Sequence, residues 1–207
     1  MVFGPGPRAA SSIDRIVVPG ILAGMVAAVP MGIFSMIAAA TYQHRGFFLP
    51  MYHIASLLGD DTAARSLQEA ARGDVFFFVP EPAIFGVAMH LVVGGFFGAI
   101  FAVVARVLLF RVEPSRALPS RALPSRASII AVGVVYALLV MLLMSLVLVP
   151  AADAVLSGEE RVSSFASVAG WGTFTIQHVI YGLVLGLWPV FRPQDFTSAV
   201  RAESEGP

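Results

Sequence analysis

An all-α integral membrane protein, built as a bundle of four transmembrane helices, is the fold class that this sequence predicts. Charged residues make up 13% of the 207 residues and hydrophobic residues 57%, whereas soluble domains are about 25% charged. A soluble globule of this size could not hide so much apolar surface, since part of every folded chain faces water. The apolar residues are also gathered into blocks: Ile16 to His44, Pro82 to Ala105, Ala127 to Ala152 and Val162 to Phe191. Each block is longer than the ~20 residues that span ~30 Å of hydrocarbon. The expected organisation is one membrane domain over 1–207, with helices at about 16–44, 82–110, 127–152 and 166–191.

Helix one follows Arg8 and Arg15 and ends near Ala38-Ala39-Ala40, which superficially suits a cleaved signal. Its apolar stretch far exceeds the ~7–15 residues of a signal core, so a retained helix is expected. Pro19 sits near its start, where proline is tolerated. Pro30 lies mid-membrane and should kink the helix, freeing a carbonyl near Val26.

The loop 45–81 is longer than a turn requires and predicts a short helical cap. Pro50 to Gly59 reads as an amphipathic helix with Met51, Ile54, Leu57 and Leu58 on one face and Gly59 as its stop. Asp61 can cap a second segment ending at Gly73, with Arg65 and Glu69 paired four residues apart. Phe76, Phe77 and Phe78 suit the headgroup level.

The linker 112–127 repeats Pro-Ser-Arg-Ala-Leu, and proline at every fifth residue forbids a continuous helix there. A low-complexity spacer or an anionic-lipid contact both suit it. Trp171 and Trp188-Pro189 bracket helix four as interfacial anchors.

Arginines set the orientation, because the chain contains no lysine. Arg8 and Arg15 precede helix one, Arg106 to Arg126 fall between helices two and three, and Arg192 and Arg201 follow helix four. The loops 45–81 and 153–165 hold most of the remaining acids, including Asp60, Asp61, Glu159 and Glu160. The positive-inside rule then places both termini and the linker in the cytoplasm and those two loops outside.

Several chemistries are excluded. With no cysteine, there are no thiolate metal sites, iron–sulfur clusters, disulfides or cysteine nucleophiles. No Walker loop, nucleophile elbow, HExxH or dinucleotide fingerprint appears. His44 and His53, with Asp60 and Asp61, match no metal-ligand spacing and read as solvated loop residues. No metal site, catalytic residue or nucleic-acid partner is expected.

Helices two and four share one pattern. His90, Gly94 and Gly98 recur as His178, Gly182 and Gly186, both H-x-x-x-G-x-x-x-G, which falls on one helix face. Helix one carries Gly20, Gly24, Ala28 and Gly32, and helix three Gly133 and Ala137. The chain therefore reads as two copies of a helical hairpin in parallel repeat. Such small-residue faces let helix backbones approach closely.

The two histidines should lie about 10–15 Å below the outer boundary, facing the bundle interior, where an ionisable group is a functional candidate. Three readings stand. Each ring stays neutral and hydrogen-bonds a neighbouring helix, with Ser35, Thr41, Tyr136, Ser145, Thr175 and Gln177 as possible partners. Alternatively His90 and His178 are the axial ligands of a haem b, the glycines giving clearance for the porphyrin; Arg45 or Arg72 would then have to meet its propionates. Or the pair forms a proton or cation relay in a small oligomeric transporter.

The segment from Ala23-Gly24 to Pro30-Met31, the loop from Gly46 to Gly59, and the histidine and glycine patterns resemble one known group. It is the YagU-like type of small bacterial four-helix membrane proteins, and the likeness covers Gly20 to Pro189. It implies an inner-membrane location and no particular activity. Thin polar loops and glycine-lined faces suit a non-catalytic protein acting by helix association in the lipid bilayer. It would be an accessory subunit of a larger membrane complex, or a homo-oligomer.

Overall fold

The computed structural model describes residues 14–57, 59–110, 125–156, 166 and 169–188. The repeated part of the linker and residues 157–165 lie outside the described residues. Among those described, the chain is all-helical, and three helices are long and apolar enough to cross a membrane: Ile16–Ala40, Pro80–Arg106 and Arg126–Ala152.

The elements in chain order are α1 (Asp14–Ala40), α2 (Leu49–Ser56), α3 (Thr62–Ala71), α4 (Pro80–Phe110), α5 (Arg126–Leu143), a π-helical turn (Met144–Leu148), α6 (Val149–Leu156) and α7 (Trp171–Leu187). Helix α1 runs unbroken through Pro19 and Pro30 but stops at Ala40, short of the expected His44. The chain turns there, and His44 adopts φ 51°. At the other end of the chain, α7 starts only at Trp171, after Gly170 at φ 76°, and its 17 residues are shorter than the span expected from the sequence.

The third apolar block is not one regular helix either. Val149 donates its N–H to the Met144 carbonyl, five residues back. Pro150 follows, with no N–H to offer Leu146 and a ring that crowds that carbonyl, which favours a locally widened turn.

The cap forms as expected in outline and differs in its contacts. Helix α2 carries its proline in the first turn, and Gly59 ends the segment at φ 84°. At α3 it is Asp60, not Asp61, whose carboxylate accepts the Thr62 N–H at 2.8 Å. Glu69 pairs with Arg72 at 2.7 Å rather than with Arg65, whose guanidinium sits 5.6 Å from the centre of the Phe77 ring. Tyr52, fully buried, pins α2 to the entry of α4: its hydroxyl accepts the Val79 N–H at 2.8 Å and donates to the Phe77 carbonyl at 3.2 Å.

Helix α1 packs along α4, α5 along α7, and α1 also along α7. Helix α4 touches α5 only lightly. Size sorting across α1 is the reverse of a soluble helix: Ala23, Ala27 and Ala28 are buried, while Leu22, Val26, Val29 and Ile33 are about half-exposed. Small side chains inside and large aliphatic ones outside suit lipid, where helices gain by close backbone contact and the bilayer solvates the rest.

The glycines set these contacts. A Cβ added at Gly98 would lie 2.5 Å from the Gly24 Cα, and one at Gly94 2.7 Å from the Ala28 Cβ. On the other side, a Cβ at Gly182 would lie 2.6 Å from the Gly133 carbonyl oxygen, and one at Gly186 2.6 Å from the Ile130 Cα. The two pairs of helices are joined by phenols reaching to the backbone of α4: Tyr136 donates to the Phe97 carbonyl at 2.7 Å and Tyr181 to the Gly94 carbonyl at 2.6 Å.

Candidate functional site

Towards the end of the bundle that carries α2, the helices part and leave a partly open cavity of about 530 Å³. Every long helix contributes to it: Met31 and Ser35 from α1, Met89 and His90 from α4, Val140 from α5, and Gln177 and His178 from α7. The π-helical turn adds Met144 and Ser145, and α2 closes it over with Met51, His53 and Ile54. The wall is largely aliphatic, methionine and phenylalanine side chains, interrupted by a few polar groups.

Each polar group has a local cause. Gly32 clears the path of His90: a Cβ there would come within 3.2 Å of its Nε2. The ring passes beside Gly32 and hydrogen-bonds the Ala28 carbonyl at 3.0 Å. That acceptor lies two residues on from Val26, where the Pro30 break was expected to leave a free carbonyl. His178 turns its Nδ1 to the carbonyl of Phe174, one turn back on its own helix, at 2.8 Å, with the Phe174 ring edge-on against it at 4.6 Å. Carbonyls only accept, so these ring nitrogens donate.

Gln177 donates to Ser35 across the α1–α7 seam at 3.1 Å. Above it, Gln43 donates to the Ala169 carbonyl at 2.6 Å and to Thr173 at 3.1 Å, and Tyr42 shares a hydrogen bond with Thr173 at 2.7 Å. Ser145 is 6% exposed, and its hydroxyl has no hydrogen-bond partner among the described residues.

The structure places both His90 and His178 on the wall of one cavity, with surroundings other than those expected. Their partners are backbone carbonyls and none of Ser35, Thr41, Tyr136, Ser145, Thr175 or Gln177. Thr41 and Thr175 instead bond back to their own helices, at Ile37 and Trp171. Gly94, Gly98, Gly182 and Gly186 give no clearance for a porphyrin, because backbone or Cβ atoms of the facing helix fill the space beside each.

Nor do the two rings match as axial ligands. His178 would offer Nε2, but His90 has its Nε2 on Ala28 and would have to bind through Nδ1. The residues do not fit a bis-imidazole haem. Among the described residues there is no cluster of three or more metal-ligating side chains. In the cap, His44 is exposed and His53 is turned to the cavity, apart from one another in role. Burial, and then the charge of Arg45, push His53 down to about 4.

Two features of this site go beyond the sequence pattern, the seat of the cap at Gly86 and the widened turn at Ser145. Gly86 lies four residues before His90, and a Cβ there would collide with the Met51 carbonyl, so it seats the cap on α4. The spacing Gly86, His90, Gly94, Gly98 could have revealed it, since all four share a face. The π-helical turn that presents Ser145 was legible only as Pro150 near the end of an apolar block. No family, no curated protein and no solved structure matches this chain.

Proposed function

We propose that the chain is a four-span membrane protein that binds a mainly apolar small molecule taken from the lipid phase. The cavity carries this reading. Its volume of about 530 Å³ falls inside the ~300–1,000 Å³ of small-molecule sites, which are likewise apolar with a few placed polar groups. The lightly packed α4–α5 side is the route by which a lipid-soluble ligand reaches it. Helix α2 shields the opposite approach, from water.

The fourth span of this reading is α7. Seventeen residues make about 25 Å, at the short end of what a bilayer accepts, with Trp171 and Trp188 at its ends as anchors. The parallel-hairpin repeat is supported by the like packing of the matched glycines, Gly94 against Gly24 and Gly182 against Gly133. Arginine placement puts both termini in the cytoplasm of a bacterial inner-membrane protein, in keeping with the YagU-like resemblance. Association with a larger membrane complex would have to use the outward aliphatic faces, because the glycine faces meet within the chain.

The test is photolabelling of the purified protein in lipid nanodiscs with an apolar aryl diazirine. Saturable labelling of Met89, Val93 and Met144, abolished in a cavity-filling Val93→Trp variant that still melts cooperatively, is the expected result. Labelling confined to outward residues such as Val26 and Leu139 overturns the proposal.

A further inference from the structure

The polar groups on the cavity wall differ in kind, and the difference bears on the ligand's own chemistry; the inference rests on the binding role just proposed. A neutral imidazole has one donor and one acceptor nitrogen. The carbonyls of Ala28 and Phe174 hold the donor side of each ring, so His90 Nδ1 and His178 Nε2 are left as acceptors. Gln177 has one of its two amide N–H groups on Ser35. No Asp or Glu is among the described residues of the wall. The buried Ser145 hydroxyl, with no partner among the described residues, can both give and take a hydrogen bond.

A wall of this kind is best completed by a ligand that brings a donor of its own. We propose that the site takes a neutral apolar molecule bearing a hydroxyl, a phenol or a long-chain alcohol. Its O–H donates to an imidazole nitrogen, and the Ser145 hydroxyl serves its oxygen. A ligand carrying only an ether or ketone oxygen would leave a ring nitrogen facing a second acceptor, both desolvated. Sites built around a matched hydrogen bond reject the analogue that lacks it.

The experiment is competition against the diazirine label in nanodiscs by 4-hexylphenol, 4-hexylanisole and 4-hexylbenzoate, which share one apolar body. The phenol is expected to compete at about tenfold lower concentration than its methyl ether, about 1.4 kcal/mol. In His178→Phe that preference should fall to threefold or less, and in Ser145→Ala, which leaves the packing intact, it should shrink in the same direction. Equal competition by phenol and ether in the native protein overturns the inference while leaving the binding role standing. A preference for the benzoate overturns it too, and moves the head group to Arg45, the cation on the wall. Absence of any cavity labelling is the separate failure of the binding role itself.

Discussion

The two ends of this bundle are made from the same helices and solve opposite problems. Around Gly20, Gly24, Gly94 and Gly98 on one side, and Gly133, Gly182 and Gly186 on the other, helices meet backbone against backbone with no room for a methyl group. Toward α2 the same helices carry Met31, Met89, Met144 and Phe174, and between them they leave a cavity. In a bilayer no hydrophobic force pulls helices together, so close backbone contact is what holds them at the glycine end. The glycine end is packed backbone to backbone, and the cavity end leaves open volume. Polar groups follow the same division. At the boundary, the Tyr136 and Tyr181 hydroxyls are tied to the α4 backbone, whereas Ser145, on the cavity wall, has no partner among the described residues.

If that division is right, substitutions should rank by which end they touch. Gly98→Val forces a side chain against the Gly24 backbone, which cannot yield as a flexible side chain would. The expected loss is about 3 kcal/mol or more, read as lost cooperative unfolding in an SDS titration; a native-like titration would break the comparison.

Acid should act next, and on the cap. The His53 value is depressed from 6.5 to about 4, so the undocked cap binds a proton more readily than the docked one. Docking is therefore at full strength above pH 6.5 and weakens by about 1.4 kcal/mol per pH unit down to about 4. Hydrogen exchange of α2, corrected for its intrinsic pH dependence, should rise across that window and lose the response in His53→Gln. A response of the same size in α7 would show that the cap and the bundle do not open separately.

Tyr181→Phe leaves the buried Gly94 carbonyl without the phenol and should cost about 1–3 kcal/mol, with Tyr136→Phe at the lower end because its hydroxyl is less buried. The smallest effect belongs to the cavity itself. Ser145→Ala removes a hydroxyl that bonds none of the described residues, so unfolding should stay within about 0.5 kcal/mol of wild type. If Ser145→Ala is strongly destabilising, the cavity end is part of the structural frame after all.

Much of the frame was legible from residue order. The apolar blocks located α1, α4 and α5 to within a few residues, and the four-residue spacing after His90 and His178 put both rings on interior faces. What it misjudged were features set by non-local contacts. The partner of Glu69 turned out to be Arg72 because Arg65 is drawn to the Phe77 ring, 12 residues along the chain. The ties of Tyr42 and Gln43 to Thr173 join segments about 130 residues apart, and no local periodicity encodes that.

Hydrocarbon thickness is a fixed length, so the sequence by itself determined that α1, α4 and α5 can cross a membrane, and its arginines carry the orientation proposed for them. Small-residue spacing likewise fixed which faces turn inward. Only the tertiary structure decided what those faces meet. The glycines meet the backbone of the next helix, and the histidines meet backbone carbonyls beside an open volume. A cavity is a property of how far apart packed helices stand, and that distance depends on contacts made by residues remote from it in the chain.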